Sequence, residues 1–159
     1  YTSNLKNSNN FGYLIPAISF DYKLISSGKL VLATKVKGHY NFGDSYELYQ
    51  AASIGGNDGL RAYRNERFTG KNSVYQSTDL RLLLSKVKTS IVPLNIGIYG
   101  GFDYGTVWGQ QNTTFNNTKF NNSAGGGIFF NAANMLVANV AVFNGDDGVR
   151  ATVNLGFNF

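Results

Sequence analysis

Apolar and polar side chains alternate residue by residue, in runs of about ten, through nearly every part of this chain. In the closing run GVRATVNLGFNF, Val149, Ala151, Val153, Leu155, Phe157 and Phe159 share one parity, and Arg150, Thr152, Asn154, Gly156 and Asn158 share the other. Successive side chains of a strand point to opposite faces, so this run predicts a strand with one oily and one wet side. Upstream, Leu94, Ile96, Ile98, Phe102 and Tyr104 oppose Asn95, Gly97, Tyr99, Gly101 and Asp103. Leu80, Leu82 and Leu84 oppose Asp79 and Arg81, and Leu30, Leu32, Val36 and Tyr40 oppose Lys35, Lys37 and His39. Leu14, Pro16, Ile18, Phe20 and Tyr22 oppose Ala17, Ser19 and Asp21 in the same way.

Strands of a soluble sandwich also alternate, but they are usually five or six residues long. Runs of ten, with aromatic ends and turns that alternate short and long, are the pattern of an outer-membrane barrel. The predicted fold is all-β, an antiparallel transmembrane β-barrel. Seven strands are expected at about 11–25, 28–42, 71–86, 90–108, 122–131, 134–144 and 147–159, with residues 1–6 ending an eighth. Pro16 lies early in the first of these and weakens pairing there, because proline has no N–H to give the ladder. ISSGK, KVKTS and NAAN read as short turns, whereas 43–70 and 109–121 read as long loops. FNGDDG is shorter than the alternation of turn lengths calls for.

Composition agrees with a lipid-solvated surface. Only 14% of residues are charged, against roughly a quarter in soluble domains, while aromatics make up another 14%. No apolar run reaches the roughly 18 residues of a membrane helix. The 159 residues suit one domain, and the absence of cysteine rules out a disulfide framework and Cys-ligated zinc. The net charge of +5 is dispersed without a basic block, so no nucleic-acid partner is expected. The chain opens at Tyr1 with neither an initiator Met nor a signal-peptide pattern, which reads as a mature or partial product. Sequons at Asn112, Asn116 and Asn121 fall in an Asn-rich loop and read as chance matches. His39 has no ligand-rich company and no serine lies in a G-x-S-x-G context, so no catalytic, metal or cofactor site is expected.

The segment IGGNDGLRAYRNERFTG, Ile54 to Gly70, spends three arginines and four glycines on a loop. Gly55, Gly56 and Gly59 give it the backbone freedom to fold back into the lumen. Asp79 and Asp103 face the lumen by phase, and a guanidinium can grip a carboxylate through two parallel hydrogen bonds. Arg61 is the expected donor.

This loop resembles the one that carries an aliphatic residue, Arg, Gly and an aromatic in the superfamily of BamA, TamA and FhaC, the outer-membrane insertases and transporters. Leu60, Arg61 and Tyr63 match, and Ala62 stands in place of the family's glycine. TDLRL resembles the acidic residue of the next strand, GFDYGTVW the family's F-D-x-G-x-V-W strand, and SAGGGIFF a later one. Phe157 and Phe159 resemble the aromatic ending read by the assembly machinery. The resemblance implies the last seven strands of a barrel of about sixteen. It implies a bacterial outer-membrane location, and Arg61 paired with Asp103 and Asp79. It further implies non-enzymatic work in assembly, insertion or translocation of outer-membrane proteins. The partners would be outer-membrane lipids, other outer-membrane proteins and subunits of the assembly machinery. Two alternatives stay open: the C-terminal anchor of a patatin-like or metallophosphoesterase enzyme, and a small structural barrel.

Overall fold

A computed structural model of the protein describes residues 2–3, 10–43, 47–88, 93–109, 119–132 and 136–157. In chain order its strands are β1 (Thr2–Ser3), β2 (Asn10–Leu14), β3 (Ala17–Lys23), β4 (Leu30–Phe42), β5 (Ala52–Ile54), β6 (Phe68–Gly70), β7 (Asn72–Lys88), β8 (Pro93–Trp108), β9 (Asn121–Ala132), β10 (Leu136–Gly145) and β11 (Gly148–Phe157). Nine of them form one sheet, in the order β1-β2-β4-β7-β8-β9-β10-β11, with β3 also on β4; β5 and β6 form a small separate hairpin. Every strand pair among the described residues is antiparallel, and from β4 onward each strand of the large sheet lies beside the next. The fold is all-β, an antiparallel sheet of partial-barrel type.

The expected first strand is broken in two. β2 pairs Gly12–Leu14 with Phe42–Tyr40, and β3 pairs Ala17–Lys23 with Lys37–Val31. Ile15 and Pro16 fall between them, where the Pro16 carbonyl still accepts from Gly38 N at 2.9 Å. The proline keeps its acceptor and interrupts only the donor side of the ladder.

Register confirms the alternation across the sheet and corrects it at one place. Leu80 pairs with Gly100, Ile98 with Ile128, and Val140 with both Ile128 and Val153, so one face is apolar from strand to strand. The pairing slips between Leu83 and Ser85, passing over Leu84. Beyond this bulge the parity of β7 reverses: Ser85 and Val87 lie opposite Ile96 and Leu94, while Leu84, passed over in the register with β8, is exposed as Leu80 is.

The apolar face is bare: Ile18, Phe20, Tyr22, Phe102 and Leu155 are all exposed, and Val153 is 76% exposed. Burying such side chains stabilises by about 1.5–3 kcal/mol each, so a sheet with this surface is solvated by lipid. The other face carries the core. Ile54, Leu60, Ala62 and Tyr63 come from the segment between β4 and β7, and they pack on Tyr75, Val107, Ala141 and Phe143 of the strands. The sheet's inner face is thus covered by the chain's own loop.

Candidate functional site

The loop tip is compact because glycine lets the chain turn on itself. Gly55 O accepts from both Asp58 N (3.0 Å) and Leu60 N (2.9 Å), and Gly56 N donates to Arg64 O at 3.2 Å. A Cβ on Gly55 would stand 2.8 Å from Glu66 N, and Gly59 holds φ at +114° with Tyr75 carbons 2.7 Å from the site of a Cβ. Both positions therefore require glycine. Ala62 does not need glycine's freedom: among the described non-glycine residues only Glu66 has a positive φ, 54°. Its methyl group packs where Gly145 leaves room, 3.0 Å from a Cβ placed there.

The tip presents Arg61 to two strands. Arg61 N donates to Asp103 Oδ2 at 3.0 Å, Nε lies 3.0–3.1 Å from both carboxylate oxygens, and Nη2 donates to Oδ1 at 2.6 Å. Ser123 Oγ donates to the same carboxylate at 2.6 Å. Nη1 lies 2.7 Å from Asp79 Oδ1 as an ion pair, and the guanidinium carbon sits 4.1 Å over the ring of Phe143. The Asp103 side chain is 0% exposed, that of Asp79 13% and that of Arg61 23%. Burial by itself would lower the Arg61 pKa, but the hydrogen bonds and charge of Asp103, with Asp79 behind them, raise it above its ordinary value. Asp79 Oδ2 accepts from Arg81 Nη2 at 3.0 Å, so this carboxylate serves two guanidinium groups.

Other contacts brace the loop on either side. Lys37 Nζ and Tyr75 Oη reach Asp58 at 2.6 and 2.7 Å, and Ser77 Oγ donates to Gly59 O at 3.1 Å. Burial would raise the Asp58 pKa, but Lys37 and Tyr75 hold the carboxyl below its usual range. Tyr63 Oη donates to Asn122 O and accepts from Asp146 N, both at 3.1 Å, and Arg150 donates to Tyr63 O. At the rim, Arg67 Nε meets Asp147 Oδ2 at 2.5 Å and Lys119 Nζ meets Asp146 Oδ2 at 2.9 Å.

Asp58, Lys37, Ser123, Arg150 and the Asp146–Asp147 pair were not singled out from the sequence. Phase placed Lys37 on the correct face, but nothing local marks which loop carboxylate it meets. Gly101 could have been noticed: a Cβ there would stand 2.5 Å from Arg61 Nη2 and 2.6 Å from Asp79 Oδ1. The glycines of GGFDYG and SAGGG include Gly101 and Gly125, paired across β8 and β9 beneath the loop. His39 faces Asn41, with Nε2 and Oδ1 3.1 Å apart. Phe159 lies outside the described residues, as do Asn112 and Asn116.

An antiparallel sheet with an apolar outer face, and an arginine loop held on the other face by strand carboxylates, has the form of part of an outer-membrane β-barrel. The family model for haemolysin secretion/activation proteins of the ShlB/FhaC/HecB type matches residues 2–130, and the chain belongs to that family. Its members are bacterial outer-membrane proteins of polypeptide secretion and translocation. The match ends within β9, before β10 and β11. No curated protein and no solved structure matches the chain.

Proposed function

We propose that this chain is the loop-bearing part of a barrel that passes polypeptide across the outer membrane without covalent chemistry. The 43–70 loop is its internal closure, occupying the lumen at rest. The observation that carries this reading is the anchoring of Arg61 to Asp103 and Asp79, with Leu60 and Tyr63 buried on the same face. A loop held by an ion-pair cluster beside a small apolar cluster has a defined set of contacts to break when a substrate enters. Gly55, Gly56, Leu60, Arg61, Ala62 and Tyr63 form the closure, and Phe157 and Phe159 serve as the signal read by the assembly machinery.

The test is secretion by cells in which the complete protein carries Asp103→Asn. Release of the exported substrate should change while the amount of inserted barrel stays the same. Unchanged release at equal barrel level would remove the loop from the transport step. A second reading, insertion of other outer-membrane proteins, has support in β11, whose described pairing is with β10 alone. It predicts that Asp103→Asn alters the assembly of several barrels, not the release of one substrate.

A further inference from the structure

We propose that Arg81 is a positioning residue that makes the loop releasable, by holding Asp79 when Arg61 leaves. The inference rests on the reading of the loop as a mobile closure. The two strand carboxylates that face Arg61 are not equivalent. Asp103 is fully buried and takes four donor contacts from Arg61 at 2.6–3.1 Å, with Ser123 as its remaining partner. Asp79 meets Arg61 through a single ion-pair contact of 2.7 Å at Oδ1, against the four made to Asp103. Its other oxygen is already held by Arg81, whose side chain is 49% exposed. Asp79, Arg81, Arg61, Tyr99, Asn57 and Asn139 line a cavity of about 460 Å³ below the tip. Polar walls of that size admit water to the Asp79–Arg81 side of the cluster.

Charge bookkeeping within the cluster then gives Arg81 a definite role. With the loop in place, Arg61 and Arg81 balance Asp79 and Asp103. Withdrawal of Arg61 leaves one net negative charge, because Arg81 stays on Asp79. Without Arg81, the same withdrawal takes a cation from two negative charges and leaves Asp79 bare. Arg81 also repels Arg61 directly, since both guanidinium groups converge on one carboxylate. Asp103 is thus the lock, and the Asp79–Arg81 pair lowers the cost of opening it. Removing this cation should tighten the loop, the opposite of what a simple strut would do.

The experiment uses the complete protein in its membrane, with one reporter cysteine placed in this cysteine-free chain. Ala62→Cys sits on the buried tip and Ala141→Cys on the strand beneath it, so each thiol meets an alkylating reagent only when the loop lifts. Arg81→Gln should slow alkylation of both by about threefold, the size expected of a half-exposed pair. Asp103→Asn should speed it, and Arg81→Lys should leave it near the parent rate. In an Asp79→Asn background Arg81→Gln should have a much smaller effect, because the carboxylate it guards is gone and only the repulsion between the two guanidinium groups is left. Arg81→Thr asks the same question if Arg81→Gln fails to insert. A rate that is unchanged or faster in Arg81→Gln or Arg81→Thr overturns the proposal, as does a slowing that keeps its full size without the Asp79 carboxylate. Secretion is a separate readout: slower alkylation with normal secretion would remove the closure function and leave the hand-off between arginines standing.

Discussion

The Arg61 cluster and the rim pairs use the same chemistry in opposite surroundings. Arg61 with Asp103 and Asp79 lies under the loop with five stated contacts of 3.1 Å or less to the two carboxylates. Arg67 with Asp147 and Lys119 with Asp146 are as short, 2.5 and 2.9 Å, but lie at the water-exposed end of the strands. Length alone would rank them as equals. Exposed pairs gain little because water and salt screen them and two long side chains must be held still. A buried carboxylate that loses its cation has no such relief. The loop is therefore anchored from within, and the rim trims its position.

The sharpest way to break this comparison is a double-mutant cycle on the inner pair. Asp103→Ala should cost about 2–4 kcal/mol in a refolding titration, somewhat below a fully buried pair because Arg61 retains some contact with water. Arg61→Ala combined with it should be strongly non-additive, with a coupling of about 1–3 kcal/mol. Arg61→Lys should recover little, since an ammonium cannot reproduce the planar fork. Additive effects would place the anchoring energy elsewhere in the loop.

Next in size is a pair of adjacent glycines. Gly101→Ala drives a methyl group against Arg61 and Asp79, whereas a Cβ on Gly100 meets nothing nearer than Gly125 O at 3.9 Å. The first substitution should cost about 1–3 kcal/mol and the second very little. Equal costs would mean that the cluster can shift aside.

Rim substitutions should do less to stability. Arg67→Gln and Asp147→Asn should leave the unfolding midpoint unchanged within error, and any difference should fade as salt is raised. A loss that survives high salt would make the rim a second anchor.

The smallest expected effect is that of acid. The hydrogen bond from Arg67 holds the Asp147 pKa below its usual range, and Asp58 is held low as well. A carboxyl whose folded pKa is depressed contributes stability above its unfolded pKa, about 3.9, and loses it as pH falls through the folded value. Loop protection from protease should thus be flat from neutral pH down to about pH 4 and decline below it. A decline already near pH 6 would implicate another group.

The sequence by itself determined the strands, their faces and the class of fold. Period-two alternation is a local property, and a one-residue slip would turn every apolar side chain to the wrong side. That is why Val153 and Leu155, or Ile98 and Phe102, could be assigned to the lipid face from the chain alone. The bulge at Leu84 escaped because an extra residue in an apolar run, LLL, leaves no mark in the pattern. Phase also put Asp79, Arg81 and Asp103 on one side, and the glycines marked a loop able to return there. Only the tertiary structure decided how carboxylates and cations are matched: Asp103 enclosed by Arg61 and Ser123, Asp79 shared between two arginines, Asp58 given to Lys37, and Asp146 and Asp147 given to the rim. Those choices depend on distances between strands far apart in sequence and on how deeply each charge lies from water. Alternation records which face a side chain takes, but not what waits for it there.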